Sequence, residues 1–330
     1  NDEFMAKGSF PNLSITVAEV ERAFWHLREE GLSSSPLILY AGFPSDEKIY
    51  LKMENLLPCG SFKIRAAQWA IHYYHEQLDH QGVWTASAGN MGKAIAYCAR
   101  VAQIPCTVIV PDDAPSGKVQ AIQAFGAKVV RVPFSTYQQI QVKSNFSAAN
   151  GFFIHPFADP AVVTANATIA LEIFEQLADC DAIFLPYGGG GLTCGIAQMV
   201  KSLKPHIHIV ACEVETATPL TDSLKAGKPV NTSYRSSFVS GMGAPFVFPQ
   251  MWDLAQKLVD QSEVVRLSEV AEAIRLLAHD HHVIAEGAAA VSLAAALKNS
   301  NKWKKVVCLI TGGNIDDDQL MTIMKGNVPI

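Results

Sequence analysis

Ala182-Ile183-Phe184-Leu185-Pro186-Tyr187 runs directly into Gly188-Gly189-Gly190-Gly191, and a helix-length apolar segment follows from Leu192. A nearly uninterrupted apolar run of strand length suits a strand buried on both faces, as in a parallel sheet. The four glycines turn the chain and leave backbone N–H groups free to surround an anion where the next helix begins. Their spacing is not G-x-G-x-x-G and no P-loop Lys-Ser/Thr follows, which speaks against a nicotinamide or nucleoside-triphosphate site. Taken alone, the run supports no more than a tight strand-to-helix turn.

The same alternation extends both ways along the chain. Strands are expected at 49–53, 82–86, 106–110, 128–132, 151–155, 182–185, 208–214 and 306–310. Helices are expected at 17–30, 61–75, 90–102, 116–124, 136–149, 162–177, 191–203, 268–279 and 287–297. This pattern predicts an α/β fold with parallel sheets covered on both faces. Three more segments follow a strand-like run and turn toward a new element: Pro58-Cys59-Gly60-Ser61-Phe62-Lys63, Ser87-Ala88-Gly89-Asn90 and Thr311-Gly312-Gly313-Asn314. In open parallel sheets, ligands gather where strand ends meet loops and helix N-termini.

Composition narrows the classes of function. A chain of 330 residues suggests roughly two domains. With 26 Lys plus Arg against 31 Asp plus Glu, the net charge is −5, and 49% of residues are hydrophobic. That balance argues against disorder and against nucleic acid as a partner. Cys59, Cys98, Cys106, Cys180, Cys194, Cys212 and Cys308 are scattered without a C-x-x-C pair, so they read as reduced core residues rather than disulfides or a zinc site. The apolar run 287–297 is too short to span a bilayer and is interrupted by Ser292, so a buried helix is expected. Residues 1–4, ahead of Met5, read as an expression-tag remnant, and no signal segment is apparent. A soluble cytoplasmic protein without a membrane partner is the expectation.

Lys63 stands at the start of a helix that Ser61 is placed to cap. Near the positive end of a helix and partly desolvated, a lysine has a destabilised ammonium and an available amine; a solvated lysine is the plainer alternative. Residues 87–90 offer hydroxyl, amide and backbone donors to a carboxylate or phenolate oxygen, or simply an N-cap. Asp316-Asp317-Asp318 suits an acidic helix start, and His279 with His282 lacks a third metal ligand.

Together and in this order, the four segments resemble the fold-type-II pyridoxal-phosphate enzymes of the threonine/serine dehydratase (ammonia-lyase) family. The resemblance runs from about residue 39 to about residue 320 and includes Glu54-Asn55-Leu56-Leu57-Pro58-Cys59-Gly60-Ser61-Phe62-Lys63-Ile64-Arg65, His155-Pro156-Phe157 and Glu286-Gly287-Ala288. It implies two open parallel-sheet α/β domains, a large one at 9–78 and 160–330 and a small inserted one at 79–159, with pyridoxal 5'-phosphate in the cleft. Lys63 would hold the cofactor covalently and, once freed by substrate, act as the base at Cα. Phe62 would pack on the pyridine ring, Asn90 would bond its 3-oxygen, and Thr311 would face its nitrogen. Gly188, Gly189, Gly190, Gly191 and Leu192 would cradle the phosphate, while Ser87, Ala88, Gly89 and Asn90 would hold the substrate carboxylate.

A neutral Thr311 leaves the pyridine nitrogen weakly polarised, which favours loss of a β-leaving group over transamination. The implied reaction converts L-threonine or L-serine to a 2-oxo acid and ammonia. Racemases of the family carry serine where Ala88 stands, so racemisation is disfavoured, though it and β-replacement remain alternatives, as does a non-catalytic α/β ligand-binding protein. Departures at Met91, Lys93, Ala165, Ala167 and Ser240 leave the exact substrate open. Many relatives bind a cation through a glutamate, a backbone carbonyl and an aspartate; here Glu213 and Ala217 match but Pro219 takes the third position, so no metal is expected. The resemblance also implies a homodimer, and the short stretch after Asn314 implies no regulatory domain.

Overall fold

The computed structural model describes residues 11–42, 48–78 and 80–329. The expected tag remnant at 1–4, and expected domain limits at residues 9, 79 and 330, lie outside them. Strands run in chain order as β1 (Leu37–Leu39), β2 (Lys48–Lys52), β3 (Val83–Ala86), β4 (Cys106–Pro111), β5 (Lys128–Val132), β6 (Phe152–Phe153), β7 (Ala182–Pro186), β8 (His208–Val214), β9 (Gln261–Val265) and β10 (Lys305–Leu309). Helices are α1 (Val17–Glu29), α2 (Lys63–Tyr73), α3 (Asn90–Val101), α4 (Ser116–Gln123), α5 (Phe134–Lys143), α6 (Pro160–Gln176), α7 (Gly191–Leu203), α8 (Pro219–Ala226), α9 (Pro249–Leu258), α10 (Leu267–His281), α11 (Gly287–Lys298) and α12 (Asp317–Met324).

Two sheets result, ordered β1-β2-β10-β7-β8-β9 and β5-β4-β3-β6. Every pairing is parallel except β1 with β2, so the larger sheet carries one antiparallel edge strand that the reading as purely parallel sheets did not contain. The central strands are covered on both faces. Along β7, Ile183 and Leu185 join the core under α6 and α7, while Ala182 and Phe184 join the core under α10 and α11. Strand β10 divides in the same way, Val307 and Leu309 to one side, Val306 and Cys308 to the other. Helix α11 is buried from Gly287 to Ala296, and no helix among the described residues is long and apolar enough to cross a membrane.

Several expected elements change. Helix α2 starts at Lys63, not at 61, and its cap is Phe62 without a side-chain bond. Ser61 is extended (φ −164°) and bridges Gly312, while Phe62 N–H donates to Thr311 O at 3.0 Å. Pairing with the 311–314 loop therefore displaces the predicted cap, and the buried Ser61 hydroxyl has no partner among the described residues. Helix α5 ends at Lys143 rather than 149 because Ser144 is left-handed (φ 54°). The strand expected at 151–155 shortens to β6, since His155 Nδ1 accepts from the N–H groups of Phe157 and Ala158 and turns the chain. Strands β1 and β9 and helices α8 and α9 were not anticipated.

Candidate active site

In the larger sheet β2, β10 and β7 are neighbours, so their carboxyl ends deliver the lysine segment, the 311–314 loop and the glycine run side by side. In the smaller sheet β3 and β6 are neighbours, and they deliver residues 87–90 and 155–157 together. This is the crevice outside strand carboxyl ends where ligands bind in such sheets. Hydrogen bonds tie the loops to one another. Asn314 Nδ2 donates to Cys59 O at 2.9 Å and to Asn90 Oδ1 at 2.8 Å, and Asn90 Nδ2 donates to Glu286 Oε1 at 2.7 Å. Asn90 is thus gripped from both sides, with one Nδ2 hydrogen uncommitted.

Lys63 Nζ donates to Pro156 O at 2.7 Å and enters no ion pair among the described residues. Burial alone pulls the ammonium down to about 8, because no carboxylate compensates its desolvation. The adjacent His155 is held neutral, pulled down to about 4 mainly by burial, with its Nε2 on Gln141 O at 2.7 Å. Two residues along α2, Arg65 is fully buried in a charge cluster. It meets both oxygens of Glu54 at 2.8 and 2.9 Å and both of Glu172 at 2.7 and 2.8 Å. Lys52 Nζ completes the cluster on Glu172 at 2.6 Å and Ser35 O at 2.7 Å. Strand β2, helix α2 and helix α6 are thereby locked in register around the lysine.

The glycine run offers a cradle. Among the described residues, no N–H from 188 to 193 donates to a protein acceptor, and the first bond at that end is Cys194 N–H to Gly190 O. Gly190 has φ +92°; a Cβ on Gly189 would lie 2.4 Å from the Phe157 ring, and one on Gly191 would lie 2.3 Å from Phe157 O. Side chains are excluded there, and free N–H groups at the start of α7 suit a phosphate. With the unpaired Lys63 amine and the half-committed Asn90 amide, these residues fit pyridoxal phosphate.

The remaining expected site residues are also placed. Thr311 is buried, its hydroxyl making no hydrogen bond among the described residues, while Phe62 lies against the core shared with Leu192. Ser87 and Ala88 are half-buried and Gly89 is exposed, with Ser87 Oγ accepting from Gly89 N–H at 3.3 Å. Glu213 turns into the start of α8, accepting from the N–H groups of Leu220 and Thr221, both at 2.8 Å; burial pushes it up to about 7. Burial raises the Cys59 thiol and takes Cys194 to about 12. Asp316 stands at the first position before α12 without a side-chain capping bond, and His279 and His282 lie near the end of α10. Sequence reasoning missed Glu286 as the acceptor that fixes Asn90, as well as the Arg65 cluster and Lys118. The Glu286-Gly287-Ala288 motif signalled the first, and the Glu54 to Arg65 motif contained two members of the cluster without indicating that they pair.

The model of the family described as "Pyridoxal-phosphate dependent enzyme" matches residues 29–312, and the chain belongs to this family, whose cofactor is pyridoxal phosphate. An L-threonine ammonia-lyase of Thermotoga maritima is 35% identical over 280 residues, 84% of this chain and 70% of the relative. A solved serine racemase from Dictyostelium discoideum is 32% identical, with TM-score 0.82 over 92% of this chain and 99% of its own. The solved processed form of threonine deaminase isoform 2 from Solanum lycopersicum is 27% identical, with TM-score 0.82 over 96% of this chain and 95% of its own.

One consequence is a pH dependence. A Lys63 amine that takes up the cofactor would be protonated and unreactive below about pH 8, so cofactor reloading into stripped protein should then rise about tenfold per pH unit and level off above pH 8. A solvated lysine would still be gaining at about pH 10. Stopped-flow absorbance of the returning cofactor reads the difference.

Proposed function

We propose that the protein is a pyridoxal-phosphate-dependent lyase that eliminates water from a small β-hydroxy amino acid, L-threonine or L-serine, to an enamine whose hydrolysis by one water gives a 2-oxo acid and ammonia. The observation that carries this reading is the buried Lys63 amine, unpaired and set where the loops of both sheets converge. When bound, the cofactor supplies an electron sink for the charge left at Cα. Lys63 then holds it and moves the Cα proton; a group near neutrality suits that task better than an ordinary ammonium. Residues Gly188 to Gly191, with Leu192, bind the phosphate through backbone N–H groups, Phe62 packs on the ring, and Asn90 bonds its 3-oxygen. Thr311 brings a neutral hydroxyl to the ring nitrogen, which favours prompt β-elimination.

Ser87, Ala88, Gly89 and Asn90 receive the substrate carboxylate at the start of α3. Ala88 presents no hydroxyl to return a proton to the opposite face of Cα, which supports elimination over racemisation. The described strands also support a division into a large domain, 9–78 with 160–330, and a small domain, 79–159, since β3 to β6 form their own sheet. A homodimer belongs to this reading through the family resemblance alone, and a cytoplasmic location through the scattered cysteines. The test is to supply loaded protein with L-threonine or L-serine. Ammonia and 2-oxo acid in equal amounts are expected; accumulation of the D-enantiomer without oxo acid would overturn the proposal in favour of a racemase.

A further inference from the structure

We propose that Lys93 and Lys118 form a second anion subsite beside the carboxylate loop, so that the favoured substrate carries an additional acidic group on its β-carbon. This rests on the reading that residues 87–90 receive the α-carboxylate. The cleft is walled by Ala88, Gly89 and Asn90 on one side and by Ser240, Gly241 and Ala288 on the other, and both lysines line it. Lys93 follows Asn90 by one turn of α3 and donates to Asn314 Oδ1 at 2.8 Å. Lys118, in the first turn of α4, reaches across the cleft to Ser240 Oγ at 2.7 Å.

Among the described residues neither lysine enters a direct ion pair, whereas buried Lys52 has Glu172 at 2.6 Å. Each ammonium spends one N–H on a neutral oxygen and keeps two. Among the described residues neither acidic group of the wall, Glu286 or Asp316, pairs directly with these lysines. Glu286 accepts from Asn90, and Asp316 sits at the start of α12, where the helix end favours a negative charge. Burial pushes Glu286 up to about 7 while Lys118 and Lys93 both pull it down, so the two cations act on one point of the cleft. The methyl or hydrogen on the β-carbon of threonine or serine makes no use of them. A carboxylate at that carbon gains two charge-assisted hydrogen bonds.

For a 3-hydroxy dicarboxylic amino acid the reaction breaks the Cα–H and Cβ–O bonds and releases water. One water then hydrolyses the resulting enamine, after its tautomerisation, to a 2-oxo dicarboxylic acid and ammonia, with no external oxidant or reductant. Recognition is tested apart from turnover, by calorimetry on the loaded protein with non-eliminating ligands. L-Aspartate should bind at least about tenfold tighter than its neutral isostere L-asparagine. Lys118→Met should erase that preference, and Lys93→Arg should keep it while Lys93→Met does not. A tenfold preference for L-2-amino-3-phosphonopropionate, which has no β-leaving group, over L-asparagine, without one for aspartate, would assign the subsite to a phosphate and overturn the carboxylate assignment. Equal binding of charged and neutral partners, or a preference that survives both methionine variants, overturns the proposal. Failure of the lyase reading would look different: no oxo acid from 3-hydroxyaspartate, with the binding preference intact.

Discussion

Lys63→Ala is expected to abolish turnover, by at least about a thousandfold, and to leave the cofactor free to dialyse away. The fold should survive. Lys63 makes one hydrogen bond, to Pro156 O, and no ion pair among the described residues, so its loss costs about 1 kcal/mol at most and also relieves a desolvated cation. Far-ultraviolet circular dichroism should match the parent while the cofactor's visible absorbance is lost. Residual turnover above about a hundredth of the parent rate would remove Lys63 from the chemistry.

Glu172→Ala is expected to be the most destabilising single change in the lysine helix's support. It leaves Arg65 with Glu54 alone and deprives Lys52 of its carboxylate, all within a region where these side chains are at most 2% exposed. Removing one member of a buried charge cluster costs about 3–5 kcal/mol, a large share of the roughly 5–15 kcal/mol that holds a domain together. Urea unfolding should show a lower midpoint by that amount, and a change below about 1 kcal/mol would mean the cluster carries little of the stability. The pH dependence has a definite sign. Arg65 and Lys52 outweigh burial and hold Glu172 below the usual carboxylate range, so its contribution is complete above the unfolded carboxylate pKa and is lost as pH falls through the lower folded value.

These expectations differ in how far the sequence foretold them. Strands 128–132 and 208–214 and helix 191–203 have the bounds read from the chain, because short runs rich in Val and Ile, and a glycine run directly ahead of the helix, mark where each begins and ends. Strand β1 has three residues and β9 (Gln261–Val265) mixes polar with apolar side chains, so neither edge strand rises above its surroundings. Ser61 shows local preference yielding to tertiary pairing: its residue type favours a cap, but Gly312 draws its backbone into a bridge. The site loops were legible because each sits at the end of a predicted strand and carries its own residue pattern. Their supports were not. Arg65 meets Glu172 across 107 positions and Lys118 meets Ser240 across 122, and no local pattern joins residues that far apart.

The proposed function requires Lys63 to be the point where the cofactor is held. Borohydride reduction of loaded protein, followed by proteolysis and mass spectrometry of the peptides, tests this directly. A single cofactor-derived adduct on the peptide containing Lys63 is the predicted result. An adduct on Lys93, Lys118 or any other lysine, or no adduct at all, would contradict it.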